Sequence, residues 1–291
     1  MWTLGTFPLL ARALRPLILG LTWRHSYYLR EHGMAYAGFV LGSRATDRQR
    51  ADLARAVIAN HFEFLYDFGR MRKWSCERLR GEIECIEGEA YYEQVRRLGR
   101  GLIVVTAHVG SFEVALAGLR AREEHVHVVY KHNPHEPFER LRSDQRRRIG
   151  VREAAVDDGI DMWMRLRDAL RRDEVVLMQG DRVMPPAHGL EVPFLGGLVE
   201  LPVGPAKLAA ASGAPILPVL SVRLPSRRLR IIIKEPIQVD APESGPFDPG
   251  PVTRRIGAVL EQHIRAFPDQ WLAAHSVPIK ACPTPAGAPA T

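Results

Sequence analysis

The apolar positions of this chain change their period about eighty residues in. Before that point the spacing is helical. Phe7, Leu10, Leu14, Leu17 and Leu21 recur at steps of three or four, which places them on one face of a helix within residues 1–25. Two further helices are predicted, Ser26 to Leu41 and Thr46 to Met71, separated by a Gly42-Ser43 break. In the second, Leu53, Val57, Ile58, Phe62, Leu65 and Phe68 keep helical spacing, and Thr46 or Asp47 is placed to cap its start.

From Gly81 onward short apolar runs alternate with helix-length stretches. Strands are predicted at Glu82–Ile86, Leu102–Thr106, Val126–Tyr130, Val175–Met178, Ile216–Val222 and Leu229–Ile233. Helices fall at Glu89–Arg97, Ser111–Arg122, Pro137–Ile149, Ile160–Arg172, Val203–Ser212 and Pro251–Phe267, with a long loop up to Pro202. Leu102-Ile103-Val104-Val105-Thr106 is continuously apolar and β-branched, as a strand buried on both faces must be. The alternation predicts an α/β fold with a mostly parallel central sheet flanked by helices, behind an N-terminal helical region. The chain then divides into an apolar N-terminal helix (1–25), one main domain (26–280) and a tail (281–291). The tail, ACPTPAGAPAT, is too rich in small residues and proline to bury much and reads as disordered.

Composition narrows the setting. Of 291 residues, 46% are hydrophobic and 25% charged, so the chain can bury a sizeable core. A net charge of +7 points to something anionic: nucleic acid, anionic lipid head groups or an acidic carrier protein. Cys76, Cys85 and Cys282 are sparse and unpaired in spacing, which argues against a disulfide framework and structural zinc. The segment Met1–Trp23 carries Arg12 and Arg15 and contains no run of the ~18 apolar residues a spanning helix needs. No small-residue cleavage site follows it. Two readings stand side by side, a helix lying in the bilayer interface with its arginines on head groups and a helix packed on the protein's own core, with an anchor spanning the bilayer third.

The strongest chemical signal is Thr106-Ala107-His108-Val109-Gly110-Ser111-Phe112-Glu113. It puts His108 at the carboxyl end of a buried strand, where open α/β sheets bind ligands, and Glu113 in the first turn of the next helix. That turn can carry the carboxylate back to the imidazole. Histidine suits acyl transfer to a hydroxyl, which needs a base for the hydroxyl proton and then an acid for the leaving thiol. A carboxylate fixes its tautomer. No G-x-S-x-G elbow surrounds any serine, and no G-x-G-x-x-G follows the first strand-like run. His125, His127, His132 and His135 lie close together but without a carboxylate or cysteine at ligand spacing, so they read as interleaved with a strand and its loop rather than as a metal site.

With these residues in view, the chain resembles the bacterial lipid A biosynthesis acyltransferases, within the wider lysophospholipid acyltransferase superfamily. His108 and Glu113 match the family's histidine followed after four residues by an acid. Val129-Tyr130-Lys131-His132-Asn133-Pro134, Arg146-Arg147-Arg148-Ile149-Gly150, Gly180-Asp181-Arg182, Val192-Pro193-Phe194-Leu195-Gly196, the stretch Pro202 to Pro218 and Pro268-Asp269-Gln270-Trp271-Leu272 resemble its later blocks in the same order, over about Ser26 to His275. Departures are Ser111-Phe112 for the usual Asn-Trp, Lys131 for an arginine, and no basic-aromatic cluster after His275.

The resemblance implies a fatty acyl chain moved from an acyl thioester, of acyl carrier protein or CoA, to a hydroxyl of a glycolipid or lysophospholipid. His108 is then the general base and Glu113 its partner, with no metal, no cofactor and no nucleic acid. Lys131, Arg148 and Arg182 become candidates for acceptor phosphate or sugar, or for charge on the thioester oxygen. Asp181 either holds Arg182 or caps its loop. Phe194 and Gly196 either edge an acyl groove or belong to the core. The expected location is the cytoplasmic face of the bacterial inner membrane, with the protein peripheral or singly anchored. Phosphatidylinositol mannoside or a secondary-metabolite hydroxyl are alternative acceptors, and a non-catalytic lipid-binding relative is the alternative from another class.

Overall fold

The computed structural model describes residues 8–183, 189–240, 242 and 245–281. Two short helices open it, α1 (Pro8–Ala13) and α2 (Arg15–His25), followed by α3 (Tyr27–Leu41) and α4 (Asp47–Met71). The Ser26 side chain caps α3, and Thr46 forms a reciprocal capping box with Gln49 at the start of α4. Then come α5 (Cys76–Arg80), β1 (Ile83–Glu87), α6 (Glu89–Arg96), β2 (Leu102–Thr106), α7 (Phe112–Arg120), β3 (Val126–Tyr130), α8 (Glu136–Ile149), β4 (Arg152–Ala155), α9 (Ile160–Arg171) and β5 (Val175–Gln179). A hairpin β6 (Leu190–Phe194) and β7 (Gly197–Leu201) leads to α10 (Gly204–Ser212), β8 (Ile216–Arg223), β9 (Leu229–Ile233), α11 (Gly250–Ala266) and β10 (Lys280–Ala281).

Seven strands form the central sheet in the order β1-β9-β8-β2-β5-β3-β4, parallel except for the β8–β9 pair. Side-chain alternation along β2 divides the core. Ile103 and Val105 pack with Leu166, Leu208 and Leu260 of α9, α10 and α11, whereas Leu102 and Val104 pack with Val95, Val114 and Ile149 of α6, α7 and α8. Both faces of the sheet are covered, which is why the strand is apolar throughout.

Three expectations change. The loop before Pro202 contains the β6–β7 hairpin, turned by Leu195 (φ 54°) and Gly196 (φ 80°). β4 is an edge strand of the sequence Arg-Glu-Ala-Ala, which has no apolar run to announce it. Ala281 pairs with β7 through β10; residues 282–291, the rest of the expected tail, lie outside the described residues, as does Phe7.

In α1 and α2, Ala11, Ile18 and Leu19 pack on Phe62 and Tyr66 of α4, while Leu9, Leu10, Leu14, Leu17 and Leu21 are between 41% and 85% exposed. Arg12 and Arg15 turn inward to the Glu63 carboxylate, at 2.6 and 2.9 Å, rather than outward to any head group. No helix among the described residues is long and apolar enough to cross a membrane.

Candidate active site

β2 and β5 are parallel neighbours, with Thr106 opposite Gln179. His108 lies two residues past the end of β2, and Asp181 two residues past the end of β5, so the sheet register brings them together. The backbone N–H of Gly180 donates to the Thr106 carbonyl at 2.8 Å and fixes the two strand ends relative to each other.

Asp181 is fully buried and accepts three hydrogen bonds. Nδ1–H of His108 donates to Oδ1 at 2.9 Å, the His108 backbone N–H donates to Oδ2 at 3.0 Å, and the indole N–H of Trp271 donates to Oδ2 at 2.8 Å. Burial alone raises a carboxyl pKa. Here the facing imidazole and these three donors outweigh it and hold Asp181 below the ordinary carboxylate value. An ionised Asp181 requires the proton on Nδ1 of a neutral His108, which leaves Nε2 as the basic nitrogen.

The segment after α11 locks this arrangement. Val109 pairs with Trp271 as an isolated bridge, the Leu272 N–H donates to the His108 carbonyl at 2.7 Å, and the Gly110 N–H donates to the Gln270 carbonyl at 3.2 Å. The Gln270 amide grips Arg223 by both its backbone N–H (2.7 Å) and its carbonyl (2.9 Å), and Arg223 pairs with Asp67 of α4. Asn60 of α4 holds Asp269. Gly110 sits at φ 58° with room for no side chain, since an added Cβ would lie 2.7 Å from the Ser221 carbonyl oxygen.

His108 lines a cavity of about 1040 Å³. Phe64, Phe68, Phe112 and Phe138 of α4, α7 and α8 line one part. Ile160, Trp163, Met164, Val203 and Leu208, on or beside α9 and α10, line another. Lys131, Arg142, Arg167, Arg182 and Lys207 bring positive charge to it, against Glu113 and Asp157.

The family model for bacterial lipid A biosynthesis acyltransferases matches residues 37–276, which is most of the chain. The chain belongs to that family. Two curated relatives, the phosphatidylinositol mannoside acyltransferases of Mycobacterium tuberculosis strains H37Rv and CDC 1551, are each 28% identical over 137 residues, covering 46% of this chain and 42% of theirs. The match thus spans less than half the length of those relatives.

The family's motif residues fall unevenly around the cavity. Glu113 lines it, 7% exposed, but makes no hydrogen bond to His108; the carboxylate on the imidazole is that of Asp181. Asp181 therefore neither holds Arg182 nor simply caps its loop. Lys131 and Arg182 line the cavity, and Arg182 donates to the Ser276 hydroxyl at 3.1 Å. Arg148 does not line it: it is exposed on α8 and bonds to the Arg72 carbonyl. Its neighbour Arg146 is the buried member of the triplet, paired with Glu139 and Glu153 and stacked 4.0 Å from the Tyr130 ring, where it braces the loop that carries Lys131. Phe194 and Leu195 are buried in the hairpin against Trp271 and α11, and neither they nor Gly196 line the cavity. The four clustered histidines go separate ways: His127 to Glu174, His132 to Asp157, His125 to Arg152, and His135 to the start of α8. Sequence reading missed Arg142, Arg167 and Lys207, which carry no motif.

Proposed function

We propose that this protein transfers a fatty acyl chain from an acyl thioester to a hydroxyl of a lipid acceptor, with His108 as general base and Asp181 as the carboxylate that orients it. The observation that carries this reading is the Asp181–His108 pair, with Nδ1 bound and Nε2 left to a cavity that is apolar in part and cationic in part. Nε2 takes the acceptor's hydroxyl proton as its oxygen attacks the thioester carbonyl. The C–S bond then breaks, and the departing thiolate receives that proton from the imidazolium. Family membership supports acyl transfer as the reaction class.

Arg182 and Lys131 are assigned to acceptor phosphate or to the charge that develops on the thioester oxygen. The aromatic and aliphatic lining takes the acyl chain, each buried methylene contributing about 0.8 kcal/mol. The donor is acyl carrier protein or CoA, the acceptor a glycolipid or lysophospholipid, and the chemistry uses no metal, cofactor or nucleic acid. The exposed leucines of α1 and α2 lie on the membrane surface, at the cytoplasmic face of the bacterial inner membrane.

Thioester turnover tests the reading. Purified protein in detergent is given both donors with bacterial lipid acceptors, beside His108→Ala. Loss of the base lowers lipid-dependent thiol release by roughly a hundred-fold or more. Equal inertness of wild type and variant with every donor and acceptor removes the proposal.

A further inference from the structure

The N-terminal helices are held to α4 by charge more than by apolar contact. Their apolar seam is Ala11, Ile18 and Leu19 on Phe62 and Tyr66, and no residue of α2 is fully buried. The Arg12 guanidinium donates to both oxygens of the Glu63 carboxylate, at 2.7 and 2.6 Å, and Arg15 donates to one of them at 2.9 Å. Glu63 is only 8% exposed, so its charge depends on these partners. Burial raises its pKa, but Arg12, and then Arg15 and Arg223, outweigh that and hold it below the ordinary carboxylate range.

One turn further along α4, on the same face, stands Asp67, which is also buried and is paired with Arg223. Arg223 is the residue whose backbone the Gln270 amide grips. The Gln270 carbonyl in turn accepts the Gly110 N–H, beside the Trp271 indole that donates to Asp181. Contacts therefore run from α1 to the turn that carries His108, and one step of the path is the spacing of Glu63 and Asp67 on α4. Two buried carboxylates four residues apart, with one arginine acting on both, have two arrangements. With Arg12 and Arg15 in place, Arg223 serves Asp67 alone. With those two withdrawn, the cation that still acts on Glu63 is Arg223, and the two carboxylates compete for it.

We propose that the docking of α1 and α2 on α4 positions the catalytic turn: Arg12 and Arg15 occupy Glu63 and so leave Arg223 to Asp67, where it holds Gln270 over Gly110 and keeps His108 on Asp181. Arg223 and Gln270 are then positioning residues for acyl transfer, and the N-terminal helices control them. This rests on the acyl-transfer reading above and adds to it a control of the same site from outside the cavity.

Two measurements on the full chain test it. In the first, thiol release from acyl-CoA and acyl carrier protein thioesters is followed with the lipid acceptor in detergent, so that vesicle binding plays no part. Each variant is assayed well below its melting temperature, so that loss of the fold does not enter. Arg12→Ala with Arg15→Ala lowers kcat roughly tenfold and leaves the thioester KM within about twofold, because neither arginine lines the cavity. Adding Glu63→Gln removes the competing charge and brings kcat back to within about threefold of wild type, although the ion pairs are still absent. A triple variant as slow as the double, or a double variant with wild-type kcat, overturns the proposal. In the second, amide hydrogen exchange over residues 108–112 is read by mass spectrometry. It is faster in the double variant and returns to the wild-type rate in the triple; equal exchange in all three overturns the proposal. If the double variant does not fold, Arg12→Ala alone, which keeps Arg15 on Glu63, takes its place with the same rescue expected. If wild type turns over no thioester, the acyl-transfer reading fails and the exchange measurement alone decides the coupling.

Discussion

The indole N–H of Trp271 donates to Oδ2 of Asp181 at 2.8 Å, and neither side chain is reached by solvent. The carboxylate that orients His108 is thus itself oriented by a residue of the segment that follows α11. Trp271→Phe keeps most of the ring against Tyr36 and Phe194 but deletes the donor. A hydrogen bond to a buried charge is worth roughly 1.5–3 kcal/mol, so the unfolding free energy obtained from denaturant titration falls by an amount in that range. Turnover falls by about tenfold or more, measured as thiol release.

Gly110 offers a separate lever on the same loop. Its φ of 58° and the 2.7 Å approach of an added Cβ to the Ser221 carbonyl make even alanine a misfit. Gly110→Ala strains or displaces the 108–110 turn and costs stability on the order of 1–3 kcal/mol, with activity lost at temperatures where the variant remains folded. Circular dichroism melting beside a turnover assay separates the two effects.

The pH dependence of stability follows from a buried histidine. Burial first, and then the charge of Lys234, holds His263 at about 4 against the ordinary 6.5. It stays neutral in the fold while the unfolded chain takes up a proton. Its contribution is therefore complete above pH 6.5, declines as the pH falls, and is gone below about 4. The slope is at most about 1.4 kcal/mol per pH unit for this group. His61, likewise held at about 4 by burial, then by His275 and His108, adds to the same window. Carboxylates held low, such as Asp181 and Glu63, lose their stabilising effect only at more acid pH. His263→Phe flattens the decline between pH 6.5 and 4 without abolishing it, as thermal melts across that range will register.

The exposed leucines and the inward-turned, partly exposed arginines of the N-terminal helices have opposite expected phenotypes. Leu17→Asp with Leu21→Asp, at positions 58% and 48% exposed, reduces sedimentation with anionic vesicles at least tenfold and leaves the melting temperature nearly unchanged. Arg12→Ala leaves vesicle binding in place but costs about 2 kcal/mol, because it strips the buried Glu63 of a partner held at 2.6 Å.

Much of this fold was legible because it follows from periodicity. The continuous run 102–106 gave the central strand, and the Thr46 cap and the helical spacing from Leu53 to Phe68 gave α4. The β6–β7 hairpin was hidden by Pro193 and the Gly196-Gly197 pair, which read as loop. The site was half legible. His108 announced itself by following a buried strand into a glycine turn. Asp181 was in view only through its family block, as a partner of Arg182 or a loop cap; its bond to His108 was not, because it spans 73 residues and depends on β5 lying next to β2, which no local pattern records. A signal did exist: each residue stands two positions beyond its own strand. Short-range spacing drew attention to Glu113 instead, and three consecutive arginines gave no hint that helix geometry buries the first and exposes the third.

The lock supplied by Gln270 and Trp271 also sets a time at which the site can first exist. A nascent chain that has emerged from the ribosome only as far as α11 already carries His108, Asp181 and every cation of the cavity, but the strand-like cover over residues 108–110 is still missing. Of the residues gathered around His108, those that cover the 108–110 turn thus come last in sequence order, and the geometry of the turn is complete only once they are in place.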